Sequence, residues 1–334
     1  MSAHLATRAV TRRRAPFPRD LDDRELDDWE LDASFEASWL QVEREVDELA
    51  RICPNYRTRG KIAVGGMGEV LEVEDVRLGR IAAMKVLREE LGGRWEHAAR
   101  LENEARVLAR LGGRRVPTVY ELGALEDGRP YFVMERLVGR DLAERARARL
   151  PTQEAVRIVT ELLVTLEEVH AAGVVHRDLK AENVFLTDDG RVVLLDFGLA
   201  REVGRDLRMT RHGVTLGTPR MMAPERSTSG PGDERSDLYA VGLLLYELLA
   251  GRGPFDDARS LDALQLAHRR RLPKPLCERG VLVPTRLEEA VSRALAKAPR
   301  ARFESARQMR LALESSLEAL EDEVTTLDPP RTEW

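Results

Sequence analysis

The octapeptide His176-Arg177-Asp178-Leu179-Lys180-Ala181-Glu182-Asn183 constrains this chain more than any other stretch. A short apolar segment, Gly173-Val174-Val175, precedes it, and a strand-like Val184-Phe185-Leu186 follows. The residues between are too polar for a core, so they read as a loop fixed at both ends. That loop presents a carboxylate (Asp178), an ammonium two residues on (Lys180) and an amide five residues on (Asn183). Phosphoryl transfer needs such groups: a carboxylate to orient a hydroxyl, a cation to offset phosphate charge, and an oxygen ligand for a divalent metal.

The rest of the chain has to supply a frame for that loop. At 334 residues it is long enough for two ordinary domains or one large bilobal one. Its 43% hydrophobic and 33% charged residues are those of a globular protein, and a net charge of −5 gives no global case for nucleic acid or an anionic membrane. Cys53 and Cys277 stand alone, without metal-ligand spacing, which excludes a disulfide framework and fits a reducing, cytoplasmic setting. The most apolar run, Ala240 to Gly251, is too short to span a bilayer and carries Glu247, so it reads as a buried helix. The N-terminus lacks the apolar core of a signal peptide.

Residues 1–19 carry five arginines and no acid and read as a basic disordered tail. Residues 20–52 form an acidic segment in which Leu31, Phe35, Trp39, Val42, Val46 and Leu49 recur at intervals of three and four, the pattern of an amphipathic helix. Such a face must dock, either on the chain's own globular part or, through residues 30–50, on a partner protein or a second copy. The final residues, 323–334, read as a tail.

Gly65-Gly66-Met67-Gly68 lies between strand-like segments, a turn where the lack of Cβ atoms would let backbone N–H groups approach phosphates. Twenty residues past Gly65, Lys85 interrupts the apolar run Ile81 to Leu87, and a lysine in a buried strand needs an anionic partner. Phosphate would serve, and so would Glu104, on a helix predicted from Trp95 to Leu111. Two further strands, Thr118 to Leu122 and Arg129 to Met134, lead to Glu135-Arg136-Leu137, where strand character stops and a hinge is expected. A helix from Gln153 to Ala172 follows, with His170 read as a helix C-terminal residue. After the octapeptide, the apolar strand Val192 to Leu195 delivers Asp196-Phe197-Gly198; with Asn183, Asp196 makes a magnesium site. Residues 201–215 are rich in arginine and include Thr210 and Thr215, the composition of a segment ordered by phosphorylation. Gly217-Thr218-Pro219, Ala223-Pro224-Glu225 and a helix from Asp237 to Ala250 complete the pattern.

In this order the elements resemble the eukaryotic-type (Hanks-type) serine/threonine protein kinases, most closely those of bacteria, over roughly Tyr56 to Leu320. The resemblance implies an α+β, bilobal kinase fold: a small β-rich lobe with one main helix (residues 53–137) and a larger, mostly helical lobe (138–322). It implies an ATP- and Mg²⁺-dependent phosphotransferase acting on protein serine and threonine hydroxyls. Gly65, Gly66 and Gly68 would cover the phosphates, Lys85 paired with Glu104 would bind them, and Asn183 with Asp196 would hold Mg²⁺. Asp178 would take the hydroxyl proton and Lys180 would offset charge. Met134 resembles the gatekeeper and Glu135 and Leu137 the adenine-reading hinge, with Val70, Ala83 and Phe185 around the base. Lys180 and the Gly217-Thr218-Pro219 segment resemble the serine/threonine branch. Glu225 would pair with Arg302, Asp237 would anchor the loop backbone, and Arg177 would answer to phosphate on Thr210 or Thr215. Two positions depart from the family: Ala63 replaces the first glycine of the turn and Met221 replaces a tyrosine. Neither removes a charged group. The alternative is a pseudokinase scaffold, whose mark is loss of the strand lysine or of either aspartate; all three stand here.

Overall fold

The computed structural model describes residues 53–65, 68–91, 95–146, 148–198, 201–202, 219–228, 230 and 232–325. The expectations for residues 1–52, Gly66, Thr210, Thr215, the Gly217-Thr218 step and the last nine residues lie outside them.

A five-stranded antiparallel sheet comes first: β1 (Tyr56–Val64), β2 (Gly68–Asp75), β3 (Arg80–Leu87), β4 (Val119–Ala124) and β5 (Pro130–Met134), in the order β1-β2-β3-β5-β4. One face of β3 is fully buried at Ala82 and Met84, and Leu71, Val73, Tyr131 and Val133 pack with them into a separate apolar cluster. Helix α1 (Trp95–Leu111) covers the other face with Leu101, Ala105 and Leu108, which recur at helical spacing and join the main core.

After Met134 the chain turns through Gly139 into a three-stranded sheet, β6 (Gly139–Asp141), β8 (Val184–Thr187) and β9 (Val192–Leu194), ordered β6-β8-β9. Gly139 has φ +148° and a Cβ there would lie 2.1 Å from the Leu186 carbonyl oxygen, so only glycine lets the chain cross β8 this closely. Two-residue strands β7 (Val174–Val175) and β10 (Arg201–Glu202) pair with each other.

Helices make up the remainder: α2 (Leu142–Arg145), α3 (Thr152–Ala171), α4 (Glu234–Ala250), α5 (Leu261–Arg270), α6 (Thr285–Ala294) and α7 (Ala306–Thr325). Helix α4 is buried on nearly every side, which is why its sequence shows almost no polar face. It starts at Glu234 rather than Asp237, because Asp233 and Ser236 form a capping box that the apolar pattern does not reveal. Gly251, left-handed at φ +72°, ends it. The architecture is the expected α+β, bilobal one. No described helix is long and apolar enough to cross a membrane.

Candidate active site

The sheet and the helical part enclose a cleft of about 710 Å³, within the range that small-molecule sites occupy. Gly65, Gly68 and Val70 line it from β1 and β2, Lys85 from β3 and Glu104 from α1. Met134 lines it at the hinge, and Asp178, Lys180, Asn183 and Asp196 line it from below. Four residues assigned to the nucleotide from sequence are not on this lining. Ala83 pairs with Met134 across β3 and β5, and Phe185 sits on β8 opposite Asp141. The Glu135 N–H donates to the Thr118 carbonyl at 2.8 Å while its carboxylate accepts from Arg191 at 2.9 Å. Leu137 is buried, with its carbonyl accepting from the Arg136 guanidinium.

Lys85 donates to both oxygens of Glu104, at 2.7 and 2.8 Å, and stands 3.5 Å from Asp196 Oδ1. Strand β3 fixes one partner and the inward face of α1 the other, so nineteen intervening residues collapse into one ion pair. Burial opposes the Lys85 charge, but Glu104 and then Asp196 outweigh it and hold the ammonium above its ordinary pKa. Burial likewise works to raise the Asp196 pKa; Lys85, then His176, reverse this and leave it below the usual aspartate value. Two carboxylates thus share one ammonium, a surplus of negative charge suited to a cation. Asp196 has φ +59°, a rare backbone for a non-glycine residue, which turns its carboxylate out of the strand direction. Its side chain is 43% exposed into the cleft.

The octapeptide loop is held by a carboxylate from far along the chain. Asp237, buried in the first turn of α4, accepts from the His176 N–H at 2.9 Å and from the Arg177 N–H at 2.9 Å. His170 Nε2 meets the same carboxylate at 3.0 Å, so this histidine is a buried partner of Asp237 and not merely a helix end. Burial would raise the Asp237 pKa; His170, then the charge of His176 and the Arg177 N–H, lower it overall. His176 Nε2 lies 3.0 Å from the Leu195 carbonyl, and its ring packs edge-on against Phe197 at 4.7 Å between centroids. These contacts set the loop against the Asp196 segment. Asp178 Oδ2 then lies 3.2 Å from Lys180 Nζ and 3.4 Å from Asn183 Nδ2.

Asn183 Nδ2 also donates to the Asp178 carbonyl at 2.7 Å. A carbonyl partner demands the amide nitrogen, which leaves Asn183 Oδ1 as the atom able to hold a cation. The Leu195 N–H donates to the Asn183 carbonyl at 2.8 Å, so Asn183 and Asp196 are brought side by side. The donor set, one amide oxygen and one carboxylate, fits magnesium, which keeps phosphate and water oxygens in its remaining positions.

Arg100, Leu108, Pro117, Asp141 and Glu182 also line the cleft, unassigned from sequence. Arg100 was legible in principle, standing one helical turn before Glu104 on the same face of α1.

A protein kinase domain model matches residues 56–312. The serine/threonine-protein kinase PknL of Mycobacterium tuberculosis is 38% identical over 282 residues, covering 83% of this chain and 68% of that protein. Serine/threonine-protein kinase Pkn1 of Myxococcus xanthus is 37% identical over 269 residues, covering 79% of this chain but 38% of its own length. Among solved structures, the kinase domain of M. tuberculosis PknI superposes with a TM-score of 0.59 at 29% identity, over 79% of this chain and 96% of that one. With the ion pair, the loop and the metal-suited carboxylate assembled in one cleft, these likenesses place the chain in the protein kinase family, among the Hanks-type serine/threonine protein kinases of bacteria.

Proposed function

We propose that the chain transfers the γ-phosphoryl group of ATP to serine and threonine hydroxyls of proteins, using Mg²⁺, with residues 53–137 as the nucleotide-side lobe and 138–322 as the substrate-side lobe. The observation that carries this is the closed Lys85–Glu104 pair, 2.7 Å long, facing Asp178, Lys180, Asn183 and Asp196 across one cleft. In this reading Lys85, oriented by Glu104, holds the nucleotide phosphates. Asp178 orients the acceptor hydroxyl and takes its proton, and Lys180, 3.2 Å from it, offsets charge on the transferred group. Asn183 and Asp196 hold the metal, which when bound neutralises charge on the phosphate oxygens. Regulation is assigned to phosphorylation of Thr210 or Thr215, with Arg177 receiving the phosphate. Two lone cysteines support a reducing, cytoplasmic setting.

The test is a thermal-shift titration with ATP, with and without Mg²⁺, beside transfer of labelled phosphate to the chain itself and to a generic basic protein. A magnesium-dependent shift with transfer to serine or threonine is expected. Binding without any transfer would return the scaffold reading, and transfer to tyrosine alone would overturn the acceptor class. Mass spectrometry of the active protein with Thr210 and Thr215 both unmodified would remove the regulatory part.

A further inference from the structure

The peptide unit that delivers Asp178 is gripped from outside its own loop. Arg177 has φ +73°, a left-handed conformation that a side chain bearing a Cβ adopts only when its surroundings impose it. Its N–H is fixed by Asp237 Oδ1 at 2.9 Å. Its carbonyl accepts from Nη1 of Arg226. On the far side of that peptide, the Asp178 N–H faces His176 Nδ1 at 3.3 Å. Asp237 therefore holds the amide before Arg177, while Arg226 and His176 hold the two ends of the Arg177–Asp178 amide.

Arg226 is itself anchored. It follows Glu225, whose carboxylate takes two hydrogen bonds of 2.8 Å from the buried Arg302 and one of 2.6 Å from Ser236. Its aliphatic stem lies against Gly232, where a Cβ would stand 2.8 Å from Arg226 Cδ. Gly232 also accepts from Arg177 Nη2 at 3.3 Å. Burial lowers the Arg226 pKa, with Asp237, then Asp178 and Glu225, acting the other way. Arg177, Asp178, Arg226 and Asp237 line one small recess together.

We infer that Arg226 is a positioning residue for phosphoryl transfer: by holding the Arg177 carbonyl it fixes the peptide that aims the Asp178 carboxylate. It is not among the residues that line the cleft. Because attack geometry tolerates little displacement, releasing one end of this peptide lowers the rate of transfer while nucleotide binding, which depends on Lys85 and the glycine turn, is unchanged. The inference rests on the role proposed above for Asp178.

The experiment compares wild type, Arg226→Ala, Arg226→Lys and Asp178→Asn, each as the full chain, for melting temperature, ATP affinity and the single-turnover rate of transfer to a basic protein. Arg226→Ala is expected to slow transfer roughly 10- to 100-fold with ATP affinity within about twofold, and Arg226→Lys, which keeps a charged donor, to recover most of the rate. An unchanged rate in Arg226→Ala, or a loss that tracks an equal loss of ATP affinity, overturns the inference. Should Arg226→Ala melt too low for the standard assay, transfer is measured at low temperature with and without methylguanidine: a rate slowed without it and restored by it supports the inference, and a rate that methylguanidine leaves unchanged overturns it. Full activity in Asp178→Asn would instead remove the role of Asp178 itself, whatever Arg226 does.

Discussion

Glu225 and Arg302, 77 residues apart, meet through two parallel hydrogen bonds of 2.8 Å each, with the arginine side chain wholly buried. The guanidinium has no water to fall back on: its other donors go to the carbonyls of Ala296, Arg235 and Lys297. Removing the carboxylate strands a buried cation, and removing the arginine strands three carbonyls and Glu225.

Arg302→Met is therefore expected to destabilise the chain by about 3 to 5 kcal/mol, the usual cost of breaking a buried pair from one side. Urea unfolding of the variant against wild type measures this directly. Glu225→Gln keeps a hydrogen-bonding end and should cost less. If the double variant costs as much as the two single changes summed, the pair is not acting as a unit.

Lys85→Met and Asp178→Asn are expected to reduce phosphate transfer by roughly 10²-fold or more while far-ultraviolet circular dichroism stays that of wild type. Lys85→Met leaves Glu104 buried beside Asp196 without its cation, so Asp178→Asn should be the milder of the two for stability. Undiminished transfer in both would end the proposed division of labour.

The charged groups of the cleft were legible in the sequence because each stands within or just beyond an apolar-patterned run. Lys85 breaks the apolar run of β3, Glu104 lies on the inward stripe of α1, and Asp196 stands two residues past the end of β9. What was not legible depends on contacts made at long range. His170 looks like an ordinary last-turn histidine until Asp237, 67 residues on, arrives beside it. Arg226 looks like a surface arginine after a proline turn until the Glu225–Arg302 pair fixes its backbone. Strands of two and three residues, such as β6, β7 and β10, carry too few side chains for a period to show.

His268 gives a pH prediction. Burial, then the charge of Lys297, pushes its pKa down to about 4 from 6.5, against the Arg220 backbone and Asp256. Its Nδ1 lies 3.0 Å from the Tyr239 hydroxyl, and the Phe255 ring stands edge-on at 4.9 Å. Between pH 6.5 and 4 the unfolded chain binds more protons at this site than the folded one, so stability falls as pH falls and the loss is complete below about 4. At about 1.4 kcal/mol per unit, the contribution is on the order of 3 to 4 kcal/mol. Urea midpoints for wild type and His268→Gln should converge as pH drops through this window; parallel curves would show that His268 does not carry the acid sensitivity.

Gly68 and Gly65 separate two reasons for glycine in one turn. A Cβ on Gly68 would lie 2.7 Å from the Val86 carbonyl oxygen, because β2 crosses β3 there with no room for a side chain. A Cβ on Gly65 would meet only the Gly68 carbonyl oxygen, at 3.4 Å. Backbone cannot yield as a flexible side chain does, so Gly68→Ala is expected to destabilise the nucleotide-free chain by about 1 to 3 kcal/mol. Gly65→Ala should shift it by less than about 1 kcal/mol. Any effect of Gly65→Ala should then be confined to ATP affinity, where an added methyl obstructs approach to phosphate. Melting curves without nucleotide, followed by ATP titration, distinguish the two. Equal nucleotide-free melting temperatures for both variants would mean that Gly68 is there only for the phosphates and that the contact with β3 relaxes at no cost.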